Sequence, residues 1–525
     1  MLTIDTTEKR GPLVSVLVPT FNRRRYLREA LESVVGQTYR QFEAFVVNDG
    51  GEPVADLVAA FNDPRLVLID RRENRGKAAS LNEALGRAQG KYVAYLDDDD
   101  RYYPEHLARL VETLEGRDDC HAAYTDLYKV HCRVLPDGTR QVLGKVVNIS
   151  RDFDRFLLCH FNHVLHVALM HRRDLFEKTG PYNEGLRVMI DWDMTRRLSF
   201  FTDLLHIPQV TGEFFGPVGE CDRISYRMRK NKLDYARQVL MIRATRPAKP
   251  WPKMPDLSIV FAPDVLDAAA AGMIRQIGAW TFMPCQLYLV LPPAEIARAD
   301  PTLPNQVIVP VTPGATPAAR LDAALRRVEG DYVAVVSPGA RVETLWVEDP
   351  LYAAAHDATG KVAFEIAGSA GGDWPAVVLR TDGLRRARAR DSGPSLRLSL
   401  EAAGIAVRPP SEAERAFPFD RLLQNAEEME SDGDWAQAAW LYKQMGERFN
   451  NSRWMHERTV RALLKAGGRD GEALAVCREI NLTTPTVSTL LLEARLLKRA
   501  NQPGPAVALL EEADAILEGR GEPWN

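Results

Sequence analysis

The chain has 525 residues, too many for one hydrophobic core; at roughly 100–200 residues per domain it holds about three. Hydrophobic residues make up 46% and charged residues 26%, the balance of folded globular domains rather than of disorder. A formal net charge of −4 gives no global attraction to nucleic acid, so any polyanion must be held at a local site. The six cysteines (Cys120, Cys132, Cys159, Cys221, Cys285, Cys477) form no C-x-x-C pair, which argues against structural zinc and a disulfide scaffold and fits a reducing cytoplasm. The opening MLTIDTTEKRGP has no apolar core of a signal peptide, and no run approaches the ~18 apolar residues of a membrane span.

From Leu13 to about Arg246, short apolar runs alternate with amphipathic segments. Strands are predicted at Val14–Val18, Phe42–Val47, Leu66–Ile69 and Tyr92–Leu96, with helices at Arg24–Val35, Val54–Phe61 and Lys77–Ala88. Strand, helix, strand, helix is the signature of a parallel sheet covered on both faces. The stretch Arg243–Lys253 is rich in proline and basic residues and reads as a linker. A second α/β series follows, with strands at Leu257–Ala262, Gln286–Leu291, Gln306–Pro310 and Tyr332–Val336. From about Phe419 strand signals stop. Three helix pairs are predicted, Leu422–Phe449, Trp454–Ile480 and Val487–Leu517, with small residues Ala438, Ala473 and Ala506 at packing positions. Their spacing is near the ~34 residues of tetratricopeptide units; an irregular helical bundle is the alternative. The predicted domains are therefore 1–248, 249–415 and 416–525.

Two segments of the chain echo each other. Ser80–Leu85 followed by Gly90–Leu96 aligns with Arg320–Leu325 followed by Gly330–Val336, at identical internal spacing. The next residues differ, Asp97-Asp98-Asp99-Asp100 against Ser337-Pro338-Gly339-Ala340. A second echo pairs Asp191–Ser199 with Asp391–Ser399. The middle domain reads as a copy of the first that kept its packing and lost its carboxylates.

Four carboxylates directly after a buried strand lie at the C-terminal edge of a parallel sheet, where α/β folds bind ligands. Alternate residues of an extended segment point the same way, so Asp97 and Asp99 can converge while Asp98 faces away. Two convergent carboxylates repel unless a cation joins them, and Mg²⁺ or Mn²⁺ takes such hard oxygen ligands together with substrate phosphates. Asp49, at the end of the second strand in VVNDGG, is either a ligand to a base or ribose or a turn aspartate. Asp191 and Asp193 flank Trp192 before a helix; one can cap it and one can serve as a general base.

The runs VSVLVPTFNR (Val14–Arg23), QTYRQFEAFVVNDG (Gln37–Gly50), ENRG (Glu73–Gly76), YLDDDD (Tyr95–Asp100) and GPYNEGLRVMIDWD (Gly180–Asp193) resemble the family-two inverting glycosyltransferases of GT-A fold. The resemblance covers about residues 12–230. It implies an α/β, GT-A (Rossmann-like) nucleotide-diphospho-sugar transferase domain, followed by a degenerate GT-A-like α/β domain and an all-α helical-repeat tail. It implies that Pro19, Thr20, Asn22 and Asp49 line the nucleotide pocket and that Asp97 and Asp99 form a D-x-D motif binding Mn²⁺ or Mg²⁺ and the donor diphosphate. Asp98 is grouped with the donor pocket, as are Arg75 and Lys77, two cations that either steady phosphate or sit solvated at the surface. Asp191 is the implied base, with Asp193 its competitor because Ile190 replaces the family's usual Glu before it. Gly51 stands where the family commonly has Ser.

The implied donor is a UDP-, dTDP- or GDP-sugar and the acceptor a glycan, a lipid-linked group or a protein; nucleic acid is not an implied partner. Between Asp222 and Lys253 there are ten Lys or Arg against two Asp or Glu, which suits a diphosphate, an anionic acceptor or peripheral contact with the inner face of a membrane. His160, His163 and His166 repeat at i, i+3, i+6, either as metal ligands or on an acceptor-side strand making structural or acceptor contacts. The repeats would serve a protein partner or a homo-oligomer. The implied context is cytoplasmic synthesis of bacterial surface polysaccharide. Rival readings are an inactive adaptor and a nucleotidyltransferase, but the first strand leads into PTFNRRR rather than a glycine-rich basic loop.

Overall fold

The apolar runs of the first half become strands because their side chains are covered on both faces. Val14, Val16, Leu17, Val18, Val46, Val93, Ala94 and Leu96 are all fully buried. A computed structural model of the chain describes residues 11–147, 149–218, 231–300, 303, 305–337, 340–368, 372–449, 453–483 and 485–518. Contacts divide the chain into two units: Met1–Phe153 with Asn162–Tyr235 and Phe419–Asn525, and Asp154–Phe161 with Ala236–Pro418.

In the first unit, β1 (Val14–Thr20), β2 (Phe42–Asn48), β3 (Leu66–Asp70) and β4 (Tyr92–Tyr95) are joined by right-spaced helices at Arg24–Val35, Ala55–Ala59 and Lys77–Arg87. They are followed by β5 (Arg101–Tyr102), β6 (Ala122–Val134), β7 (Arg140–Val147), β8 (Leu169–Arg172) and β9 (Leu204–Pro217). The order across the sheet is β3-β2-β1-β4-β8-β6-β9-β5, and β7 pairs with β6. The first four strands are parallel, β8 runs antiparallel to both β4 and β6, and β9 is parallel to β6. The β1–β4 ladder ends at Leu17 and Tyr95, whereas β1 continues against β2 to Thr20. Pro19 has no N–H to carry the bonding toward β4, and the two strands part there. Sequence order reverses at this junction, the place where open α/β sheets form a ligand crevice.

The six tail helices, Pro418–Ser431, Trp435–Arg448, Arg453–Ala466, Asp470–Thr483, Val487–Arg499 and Pro503–Leu517, follow one another in pairs. Ala438, Ala473 and Ala506 each fill the fourth position of the second helix of a pair and are nearly fully buried. The turn before each of those helices contains a left-handed residue, Gly433, Gly468 and Asn501 in turn, which reverses the chain sharply without strain. The tail packs on the strands of its unit. Arg151 binds both carboxylate oxygens of Asp420 at 3.1 Å, the Val487 amide donates to the Tyr128 hydroxyl at 3.3 Å, and Ile516 packs with Tyr128, Val130 and Phe215.

The second unit carries β10 (Leu257–Phe261), β11 (Cys285–Leu291), β12 (Gln306–Pro310), β13 (Tyr332–Val336), β14 (Val362–Glu365), β15 (Val377–Arg380) and β16 (Ala406–Arg408). Its order, β12-β11-β10-β13-β15-β14-β16, repeats the first seven strands of the other sheet, each pair in the same orientation. A small lock recurs with the topology. Gly90 donates to the Ser15 hydroxyl at 2.9 Å, and Gly330 to the Ser258 hydroxyl at 3.2 Å. A Cβ at either glycine would lie 2.6 Å from backbone atoms, so neither position has room for a side chain.

The contact units meet at Tyr235–Ala236, inside the helix Lys232–Ala244, and the helical tail shares a unit with the first sheet. Two expectations change. The echo of Asp191–Ser199 in Asp391–Ser399 is out of structural register. Asp191 lies within the helix Ile190–Leu198, while Asp391–Pro394 precede the helix Leu396–Ala402, since Pro394 and the Asp391 side chain bonding the Gly393 amide favour a turn. The histidine segment is not a strand: His160 ends a short helix, His166 begins a 3₁₀ turn, and the strand starts at Leu169.

Candidate active site

The C-terminal ends of β1, β2 and β4 bring the sequence-predicted residues of the first unit together. After β4 the backbone turns, with the Asp100 amide donating to the Asp97 carbonyl at 3.1 Å. Asp97, Asp99 and Asp100 each present an oxygen within 4.8 Å of the others. Three carboxylates in that space fit a hard divalent cation that also binds phosphate oxygens, and among the described residues no other such group is present. Asp100 was not singled out from the sequence as a ligand. It completes the trio because the turn brings it round, and its Oδ1 also accepts from the Phe215 amide at 3.0 Å.

Asp98, grouped with the donor pocket from the sequence, turns inward instead. Its carboxyl accepts from the Thr20 hydroxyl at 2.7 Å and from Arg23 at 3.4 Å, and it is 6% exposed. Burial, reinforced by the neighbouring Asp99 charge, pushes its pKa up to about 7. Thr20 is thus engaged with the acidic loop. Arg23, which sequence reasoning passed over, also pairs with Asp99 at 2.8 Å.

Asp49 is 4% exposed, and three donors hold its carboxylate: Arg71 at 2.9 Å, the Arg75 amide at 3.0 Å and the Gly76 amide at 2.7 Å. These bonds fasten the 71–76 loop to the end of β2 and set the start of the next helix, from which Lys77 reaches Asp97 at 2.5 Å. Burial opposes charge on Lys77, but Asp97, Asp191 and Asp99 outweigh it and raise its pKa. The Arg75 side chain is mostly exposed, 3.4 Å from Glu184. Asn22, in a left-handed conformation, accepts from the Glu52 amide at 2.8 Å. A Cβ on Gly51 would lie 2.8 Å from the Asn22 amide, so a serine could not fit there without displacing this loop. Pro19 lies on β1 opposite Val47.

The structure separates the two late aspartates. Asp191 is half-buried in the first turn of its helix, accepts from the Asn162 amide group at 3.1 Å, and has its pKa raised by burial, against the pull of Lys77. Asp193 is 0% exposed and paired with Arg197 at 2.6 Å, while Arg197 also binds the carbonyls of Thr179, Gly180 and Pro181. Asp193 therefore anchors the preceding loop, and helix periodicity turns it some 200° from Asp191. Asn82 ties the helix Lys77–Arg87 to the loop before Asp191, bonding the Tyr182 carbonyl and amide at 3.0 and 2.8 Å.

Among the described residues the three histidines form no metal-ligating group. His166 stacks on Tyr95 with ring centres 3.8 Å apart and bonds the Tyr182 hydroxyl at 2.9 Å; burial lowers its pKa well below the usual value. His163 stacks on Phe153, and His160 belongs to the other unit. Much of the basic stretch from Asp222 lies outside the described residues, at 219–230.

The comparisons with known proteins fall on this first half of the chain. An uncharacterized glycosyltransferase of Rickettsia prowazekii (strain Madrid E) is 32% identical over 193 residues, 35% of this chain and 58% of the relative. The putative colanic acid biosynthesis glycosyl transferase WcaA of Escherichia coli (strain K12) is 38% identical over 103 residues, 19% of this chain and 37% of the relative. The chain thus spans 58% of the length of the rickettsial relative it matches. Among solved structures, S. aureus TarS 1-349 has a TM-score of 0.34 at 18% identity, covering 44% of this chain and 64% of that one. The mannosyltransferase PcManGT from Pyrobaculum calidifontis in complex with GDP-Man and Mn²⁺ gives a TM-score of 0.34 at 22% identity, covering 45% and 64%. Residues 15–179, which carry Thr20, Asp49, Lys77 and the aspartate run, match the family model described as glycosyl transferase family 2.

Proposed function

We propose that the first unit is a divalent-metal-dependent, inverting glycosyltransferase that moves a hexosyl group from a UDP-, dTDP- or GDP-sugar to a hydroxyl acceptor. The observation that carries the reading is the convergence of Asp97, Asp99 and Asp100 with Lys77 and Asp191 at the crevice where β1 and β4 part. Asp97, Asp99 and Asp100 would hold Mn²⁺ or Mg²⁺, which when bound supplies positive charge against the diphosphate leaving group. Lys77, held near by the Asp49-fastened loop, adds a second positive charge on the same side. Asp191 takes the acceptor proton; its raised pKa brings it nearer the working pH of a general base, and Asn162 orients it. Attack opposite the leaving group inverts the anomeric centre, through an oxocarbenium-like state.

The second unit, on this reading, is a GT-A-like pseudo-domain, and the tail is a tetratricopeptide-like array open to a protein partner or a second copy. The colanic acid relative favours a surface-polysaccharide acceptor, glycan or lipid-linked, at the cytoplasmic face of a membrane. No helix among the described residues is long and apolar enough to cross one. The test is turnover of a nucleotide-sugar panel with MnCl₂ by the full chain and by Asp99→Ala. At least one donor should be hydrolysed or transferred by wild type, with a loss of about 10²–10³-fold in the variant. Absence of binding and turnover for every donor would leave the adaptor reading in its place.

A further inference from the structure

β7 pairs with β6, and its outer side chains are poorly covered: Val142, Leu143 and Val146 are 36%, 50% and 42% exposed. Yet the strand carries two buried cations, near its two ends, and both reach the segment that contains the carboxylate run. Arg140 is 6% exposed in its side chain. It donates to the Asp99 carbonyl at 2.6 Å and to Glu29 at 2.5 Å. Its guanidinium lies 3.6 Å over the ring of Phe215, the residue whose amide binds Asp100. A planar fork of fixed geometry can make these contacts at once, and they grip Asp99 by its backbone and Asp100 through Phe215.

Lys145 works from the other end. Its ammonium, 5% exposed, donates to Glu213 at 2.6 Å and to the carbonyl of Ile516 at 3.0 Å. Glu213 in turn accepts from the Tyr103 hydroxyl at 2.8 Å and faces Arg101 across the β5–β9 ladder. Ile516 lies in the last turn of Pro503–Leu517, where helix carbonyls lack partners within the helix and a cation is favoured. A buried ammonium with its carboxylate is stable only when its remaining donors are also satisfied, and the tail helix supplies one acceptor. Chain residues 99–103 are therefore held from β7, and β7 is held from the tail.

We propose that Arg140 and Lys145 are positioning residues through which the C-terminal helix Pro503–Leu517 sets the geometry of the Asp97–Asp100 loop. Whatever loads or displaces that helix then changes how well the loop binds a cation. The cation arm of this inference rests on the transferase reading above; the positioning arm does not.

The experiment uses the full chain without metal and follows amide exchange by mass spectrometry in the peptide spanning 97–103, for wild type, Lys145→Met and Lys145→Arg. Exchange there should quicken about tenfold in Lys145→Met under conditions where peptides of β10–β13 stay unchanged, and return toward wild type in Lys145→Arg. Titration with MnCl₂ alone should show affinity weakened about three- to tenfold in the same variant. If Lys145→Met does not fold, Arg140→Lys carries the test, since it keeps a cation near Phe215 but lacks the fork. A folded variant with wild-type exchange at 97–103 overturns the proposal. Wild type that binds no Mn²⁺ overturns the metal reading instead, and the exchange result still decides the positioning claim.

Discussion

The two sheets share strand order and orientation but not the chemistry at their C-terminal edge. Following the paired registers, Thr20, Asp49, Lys77 and Asp97 of the first sheet correspond to Pro263, Pro292, Pro317 and Ser337 of the second. What recurs is packing: the Ser15–Gly90 and Ser258–Gly330 locks, and the amides of Arg173 and Thr381 donating to Lys91 and Asp331 at 2.9 and 2.8 Å. The second sheet shows that the topology forms without the aspartate run, Asp49 or Lys77. Buried carboxylates and a half-buried lysine cost desolvation energy that the fold does not require, so their place in the first sheet points to ligand chemistry.

The largest effect should come from the edge itself. Asp191→Asn is expected to lower kcat about 10²–10⁴-fold in a transfer assay while leaving the donor KM within a few-fold, because a general base acts mainly in the transition state. An equal loss from Ser337→Ala, at the position matching Asp97, would break the comparison.

Next comes a buried charge. His206 bonds Asp126 at 2.9 Å and Asp152 at 3.1 Å; burial alone would depress its pKa, but the two carboxylates push it up to about 9. A folded pKa raised above the ordinary 6.5 stabilises the protein fully below pH 6.5, and that contribution is lost as pH rises toward 9. Linkage sets the loss on the order of 3 kcal/mol across this window. Denaturant titrations from pH 6 to 9.5 should show it in wild type, and a His206→Gln chain whose stability fell equally would show another group to be responsible.

The smallest effect should be common to both sheets. Gly90→Ala and Gly330→Ala each force a Cβ against backbone and should each destabilise by about 1–3 kcal/mol, measured as separate or joint shifts in thermal melting. A penalty at only one of them would mean the locks are not equivalent.

Much of this was legible in the sequence where structure is local. The helix predicted at Arg24–Val35 and the strands at Gln306–Pro310 and Tyr332–Val336 have those bounds in the structure, and the others of the parallel half differ by a residue or two at their ends. A strand buried on both faces is a continuous apolar run, and an amphipathic helix repeats every 3.6 residues, so both write themselves into neighbouring positions. The mixed half, β5 to β9, gave no such signal. Its long strands mix polar and apolar residues because their neighbours, including the tail, come from distant parts of the chain.

The site divides in the same way. The aspartate run, Asp49 and the late aspartates were readable as residue types in order, since a strand end and the turn after it are local. Which carboxylate faces which way was not. Asp98 is set apart from Asp97 by partners such as Thr20 and Arg23 that only folding brings within reach, and Asp193 from Asp191 by its complete burial. Nor could spacing show that Lys77 meets Asp97, that Arg140 holds Asp99, or that the last helices pack on the first sheet. The sequence by itself determined the elements of the parallel half, the recurring helix–glycine–strand pattern and the aspartate-rich strand end. Tertiary structure decided which charges meet and which are buried, because desolvation and hydrogen bonding depend on distance in space rather than along the chain.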